Sequence, residues 1–175
     1  MRDTVDEIVD QWTEIRPDLD VSPMAVVGRL SRASRLLERG VKEYFAGHGL
    51  ESWEFDVLAT LRRAGEPYTL TPGDLARTVM IGSSALTNRV DRLVSRGLVT
   101  RETDPDNRRR VLITLTPDGL ALVDRIAGGH YLNENRLLSG LSKAQRDRLA
   151  STLRTLLISL GDTQSRPDLG GRRRT

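Results

Sequence analysis

The stretch from Leu70 to Leu115 constrains this chain more than any other. Thr71-Pro72-Gly73-Asp74 is a capping-box variant with proline at the first helical position, and it opens a short helix to about Val79. Ile81-Gly82-Ser83 supplies a turn, and Ser83 or Ser84 starts a second helix that ends at Arg96-Gly97. Leu98 to Glu102 and Arg110 to Leu115 read as strands; in the second, Val111, Ile113 and Leu115 alternate with Leu112 and Thr114. Asp104-Pro105-Asp106-Asn107 between them is turn chemistry. Short helix, turn, helix, hairpin is the order of a winged helix-turn-helix. Such a unit lays one helix in the DNA major groove and its hairpin against the neighbouring backbone or minor groove.

The second helix divides into two faces at about 100° per residue. Leu86, Val90, Leu93 and Val94 form the side expected to pack inward. Ser84, Asn88, Asp91, Arg92 and Ser95 occupy the other side, with Thr87 at its margin. These are short donors and acceptors plus one long cation, which can reach base edges and phosphates without blocking close approach. A merely solvated helix more often carries Glu and Lys there. Arg89 projects at the boundary, badly placed for a groove and well placed to meet an acid on a neighbouring helix. At the hairpin tip, Arg108 and Arg109 suit a narrow, electronegative minor groove, and Asp106 is positioned to hold Arg108 extended. The expected DNA contacts are therefore Ser84, Thr87, Asn88, Arg92, Ser95, Asp106, Arg108 and Arg109.

Charge is distributed to match. The net charge is only +3, yet residues 83–110 carry seven arginines against four acids, whereas residues 1–20 carry seven acids against two bases. A local basic stretch fits a polyanionic partner. There is no cysteine, which excludes disulfides and thiol-based redox sensing, and His48 and His130 stand too far apart for metal-ligand spacing. Both histidines read as ordinary surface or helix-face residues. No nucleophile–base pair, metal set or phosphate-cradling glycine loop is recognisable, so neither an enzyme nor a cofactor is expected. No apolar run spans a bilayer and no secretory signal is evident, so a cytoplasmic protein without membrane association is expected.

The flanks are helical. Val5, Ile8, Val9 and Trp12 make an amphipathic segment from Thr4 to about Ile15, broken by Arg16-Pro17-Asp18-Leu19-Asp20. Pro23 precedes a longer helix through Val26, Val27, Leu30, Ala33, Leu37, Val41, Tyr44 and Phe45. Ser52 is the expected cap of the next helix, Trp53 to about Ala64, with Trp53 itself a packing residue. Beyond the hairpin, Thr116-Pro117 starts a helix that Gly128-Gly129 is expected to bend. Ser142-Lys143-Ala144-Gln145 caps a last helix through Leu149, Leu153, Leu156, Leu157 and Leu160. These apolar faces need cover, and a second subunit is the natural candidate.

The chain resembles the MarR family of winged-helix regulators from roughly Pro23 to Leu160. The resemblance is most specific at Thr87-Asn88-Arg89-Val90-Asp91-Arg92-Leu93, Gly97-Leu98-Val99, Asp106-x-Arg108 and Leu115-Thr116-Pro117-x-Gly119. It implies a homodimer joined by the N- and C-terminal helices, bound to a pseudo-palindromic duplex with half-sites about one helical turn apart. Repression by blocking a promoter is the mode it implies. The fold expected is mainly α with a small β-wing: an extra helix and linker over 1–22, a dimerisation helix over 23–49, the DNA-binding region over 50–115, C-terminal dimerisation helices over 116–160 and a disordered basic tail over 161–175.

A narrower resemblance is to the urate-responsive, PecS/HucR-like branch of that family. It rests on the extra helix with Trp12, the Arg16-Pro17-Asp18-Leu19-Asp20 linker, Pro23-Met24 and Phe55-Asp56-Val57-Leu58-Ala59-Thr60-Leu61-Arg62-Arg63. One departure is Ser83-Ser84-Ala85-Leu86, where related sequences read Ser-Gly-Ala-Met. The resemblance implies a ligand set of Trp12, Asp56, Arg89 and Arg101 and urate as the effector. Urate is a flat anion, so an indole can stack on it and two arginines can hold its charge. In the free protein Asp56 is expected to neutralise Arg89 until the anion competes for it. Helical spacing alone leaves Asp56 on a polar face shared with Arg63, and Trp12 as ordinary core. Two alternatives stand beside urate: a polycarboxylate or phenolic effector on the same arginines, and a winged helix used only to bind protein.

Overall fold

The computed structural model describes residues 2–79 and 86–163. The turn at Ile81-Gly82-Ser83, the DNA contact expected at Ser84 and nearly all of the C-terminal tail lie outside the described residues.

Helix α1 (Thr4–Ile15) starts on a capping box between Asp3 and Asp6. It leans on α2 (Ser22–Ala46). Val5 is buried against Gly28, and Arg29 reaches back to Asp3 at 2.8 Å and to Asp6 at 2.6 Å. The Asp3 backbone N–H, and after it Arg29, hold the Asp6 carboxyl below the usual carboxylate range.

Helix α3 (Ser52–Arg63) carries the centre of the core with Val57, Leu58 and Leu61, all fully buried. Its N-cap is Glu51, in a reciprocal box with Glu54, not Ser52 as expected. A carboxylate at 51 and another three residues on satisfy two orphan backbone N–H groups at once, which a lone serine cannot do.

The first element of the reading unit is one that the sequence analysis missed. Strand β1 (Thr69–Leu70) precedes α4 (Pro72–Thr78) and lies beside β3 (Val111–Leu115), with β2 (Val99–Thr103) on the other side. Both pairings are antiparallel, with Leu70 opposite Ile113 and Arg101 opposite Ile113 from the other edge. Helix α5 (Leu86–Ser95) buries Leu86, Val90 and Leu93 onto this platform. Val94, expected to pack inward with them, is exposed.

Helix α6 (Pro117–Leu137) begins at the Thr116 cap and crosses α2 at two glycines. A Cβ at Gly40 would press on Leu137, and one at Gly129 would collide with the Tyr44 hydroxyl, which donates to the Ile126 carbonyl at 2.9 Å. Gly129 therefore serves close approach inside an unbroken helix, where a bend had been expected. Gly119, in the first turn, is required in the same way: a Cβ there would strike the Leu98 carbonyl oxygen. Helix α7 (Lys143–Ser159) opens on the Ser142–Gln145 capping box and buries none of its residues. No helix among the described residues is long and apolar enough to cross a membrane.

Candidate DNA-reading face and effector cavity

Helix α5 presents Thr87, Asn88, Asp91, Arg92 and Ser95 to solvent. Two of these are engaged by neighbours. Arg92 Nη2 donates to Glu51 Oε1 at 3.1 Å, and Arg101 Nη1 meets Asp91 Oδ1 at 3.1 Å. The Ser95 hydroxyl turns back to the Arg92 carbonyl at 2.7 Å. Thr87 and Asn88 are exposed at the other end of the helix.

At the wing, Arg108 and Arg109 are exposed, but Asp106 does not hold Arg108: no ion pair joins them among the described residues. The turn is organised from inside by Asp104, which is buried. Its Oδ1 accepts from the Asp106 N–H at 2.9 Å, its carbonyl accepts from the Asn107 N–H at 3.2 Å, and its carboxylate lies 3.7 Å from Arg110. A carboxylate at the base of a tight turn can satisfy the N–H groups that face inward, which one at the tip cannot.

Three cations at one-turn intervals along α5 and just past its end fasten it to the start of α3. Arg96 Nη1 lies 2.8 and 2.7 Å from the two carboxylate oxygens of Glu54, which is almost fully buried, and Arg96 Nη2 adds the Gly49 carbonyl at 3.1 Å. Arg92 and Arg89 both sit over the Trp53 indole, with guanidinium carbons 5.1 and 5.4 Å from the ring centroid. Trp53 Nε1 donates to Glu51 Oε2 at 2.9 Å, and this bond, with Arg92, holds the Glu51 carboxyl below its usual range. Arg89 Nη1 is buried with no hydrogen-bond partner.

A cavity of about 300 Å³ opens between α2, α3 and α6. Trp53, Phe55, Asp56, Arg63, His130 and Glu134 are among its walls. His130, read from sequence as an ordinary surface or helix-face residue, lies on α6 and is largely buried: its ring lies 4.9 Å from Phe45 and 5.0 Å from Phe55. Its Nε2 lies 3.3 Å from Glu134 Oε1, and Nδ1 is buried without a hydrogen-bond partner. His48 is exposed, with Nδ1 2.9 Å from the Tyr44 carbonyl oxygen.

The four residues assigned to a ligand are thus only partly assembled in one protomer. Asp56 lines the cavity, and Arg89 meets the cavity wall at Trp53. Arg101 lines a separate small hollow with Leu86, Thr87 and Val90. Trp12 is half exposed on α1 and lines neither space. Trp53, Glu54 and Arg96, which join α3 to α5, are residues to which the sequence reading gave no site role. Nothing local announces that Glu54 meets an arginine 42 positions away.

Residues 48–110 match the MarR family. The HTH-type transcriptional regulator PecS of Dickeya dadantii is 44% identical over 149 residues, spanning 85% of this chain and 90% of its own. Among solved structures, Bordetella bronchiseptica BpsR, described for regulation of its DNA binding by 6-hydroxynicotinic acid, is 29% identical with a TM-score of 0.68, over 75% of this chain and 91% of that one. A mutant Escherichia coli MarR complexed with operator DNA is 28% identical with a TM-score of 0.68, over 83% and 97%. MarR-family proteins are ligand-responsive regulators that bind duplex DNA as dimers, and they are not enzymes. The winged helix, the order of its strands and the close similarity to PecS along most of both sequences place this chain in the MarR family of transcriptional regulators, on its PecS-like branch.

Proposed function

We propose that two copies of this chain form a repressor that holds a pseudo-palindromic operator and releases it on binding urate or a similar planar anion. Thr87, Asn88, Arg92 and Ser95, with Ser84 ahead of them, read the major groove. Arg108 and Arg109 enter the minor groove, and Asp106 shapes the tip beside them. Asp56, Arg89, Trp12 and Arg101 hold the effector. Trp12 and Arg101, which lie outside the cavity in the protomer, complete the set in the liganded dimer.

The observation that carries this reading is the meeting of cavity and reading helix at Trp53. Asp56 and Trp53 line one space, while Arg89 of α5 rests on the same indole with a buried nitrogen that has no hydrogen-bond partner. A buried guanidinium nitrogen without a partner is a standing site for an anion's oxygen. An anion that draws Arg89 toward the cavity draws α5 with it. A coupling of about 1–3 kcal/mol is enough to empty an operator. The regulation of BpsR by 6-hydroxynicotinic acid, another small planar acid, supports the class of ligand.

The test is a titration of the protein onto a duplex from its own promoter region, with and without urate, at several salt concentrations. Binding should weaken steeply with salt, as phosphate contacts demand. Urate should lower the affinity by about 5- to 150-fold in the wild type and much less in Trp12→Phe or Asp56→Ala. Normal urate sensitivity in both variants removes the ligand set. Release by a polycarboxylate or phenolic acid, with urate inert, transfers the site to that effector. Duplex affinities left unchanged by Arg92→Ala and Arg108→Ala remove the DNA contacts.

A further inference from the structure

Trp53 belongs both to the cavity and to the set of contacts fixing α5. It lines the cavity beside Asp56 and His130. It also lies under two cations of α5 at 5.1 and 5.4 Å, and its Nε1 is fixed by the same Glu51 that accepts from Arg92. We propose that Trp53 is a positioning residue that couples the cavity to the reading helix: one indole walls the cavity and carries Arg89 and Arg92, so an occupant acts on α5 through those two cations. The proposal rests on the effector reading above and adds the residue through which the effector works.

The physical basis is the shared surface. A cation over an indole is held by the ring's quadrupole, which weakens steeply once the ring tilts or an electron-rich plane competes for it. Arg89 and Arg92 are three residues apart, hence neighbours on one face of α5, and a single displacement of the ring moves both. Glu51 makes the device sensitive, because its two oxygens serve the indole and Arg92 separately. Turning the ring strains the bond to one oxygen and changes the approach of Arg92 to the other. Arg92 is also a proposed DNA contact, so its release from Glu51 and Trp53 changes what α5 offers to a phosphate or base.

The experiment measures duplex affinity of the full-length protein by fluorescence anisotropy, without urate and at urate saturation fixed for each variant by calorimetry. The quantity read is the ratio of the two affinities, which does not depend on how tightly a variant binds urate. The wild type should lose about tenfold or more, and Trp53→Leu less than about twofold. Trp53→Phe, which keeps a ring but no donor for Glu51, should fall between them. A merely structural tryptophan lowers affinity in both conditions and leaves the ratio unchanged, so equal ratios in wild type and Trp53→Leu overturn the proposal. Should Trp53→Leu fail to fold, Trp53→Phe decides: a wild-type ratio overturns it. Should the wild type ignore urate, the effector reading fails, and the coupling is decided by filling the cavity from within. Ala59→Phe should then weaken the duplex complex about tenfold in the wild-type background and clearly less in the Trp53→Phe background; equal losses in the two backgrounds overturn the proposal.

Discussion

Helix α3 buries six of its twelve residues, whereas α7, with seventeen, buries none. The winged-helix lobe around α3 closes on itself. Leu58, Leu61, Leu75, Leu93 and Ile113 meet in one cluster, and the sheet β1-β3-β2 backs it. The terminal helices do not close. Leu149, Leu157, Ile158 and Leu160 are exposed at the C-terminal end, as are Val26, Val27, Leu36 and Leu37 along α2. An apolar stripe of that length on a helix facing water asks for a partner, and MarR-family dimers supply one. One lobe is thus a finished fold, and the other is half of one.

The contrast is broken most decisively at α7. Leu157→Asp combined with Leu160→Asp should yield a protein that sediments as a monomer and loses about a hundredfold or more in duplex affinity, because two linked half-site contacts become one. A variant that remains dimeric would show that α7 is not needed for the interface. Within the closed lobe, Leu93→Ala should cost about 2–5 kcal/mol of unfolding free energy in denaturant titration, while leaving the dimer dissociation constant in place. A smaller penalty follows at the seam between the lobes. Gly119→Ala forces a methyl group into the Leu98 carbonyl oxygen and should destabilise by about 1–3 kcal/mol, read as a lowered melting temperature.

The smallest effect is a pH response at Glu51. Its folded pKa is lowered by the Trp53 and Arg92 contacts, so their contribution is present above the ordinary carboxylate range and lost as pH falls through the lowered value. Acidification below that range should change tryptophan emission in the wild type. In Glu51→Gln, which has nothing to titrate there, that part of the change should be missing.

What was legible from sequence follows the same division. Thr71, Thr116 and Ser142 were recognisable as caps because a cap and the N–H it satisfies lie within three residues. The wing strands were legible from their alternation. Strand β1 was not, since two residues carry no period and its identity comes from Thr114 and Ile113, more than forty positions away. Glycines misled for a related reason. Gly129 looked like a weak point of its helix, but its absent side chain makes room for Tyr44 of another helix. At the site, Asp56 and Arg89 were singled out through the family resemblance, whereas the stacking of Arg89 and Arg92 on Trp53 exists only after α3 and α5 have docked.

The Arg96–Glu54 pair has a mechanical consequence. It pins the far end of α5 to a buried carboxylate and to the Gly49 carbonyl, while the stretch nearer Leu86 lacks such an anchor among the described contacts. A ten-residue rod of about 15 Å whose buried ion pair lies at one end turns about that end like a pointer on a pivot: a tilt of about 8° carries the Leu86 end, which is held by apolar packing, through about 2 Å. Mirrored in a second copy, the two sweeps add, so the gauge between a pair of such pointers is more responsive to a small push than the bearing of either one.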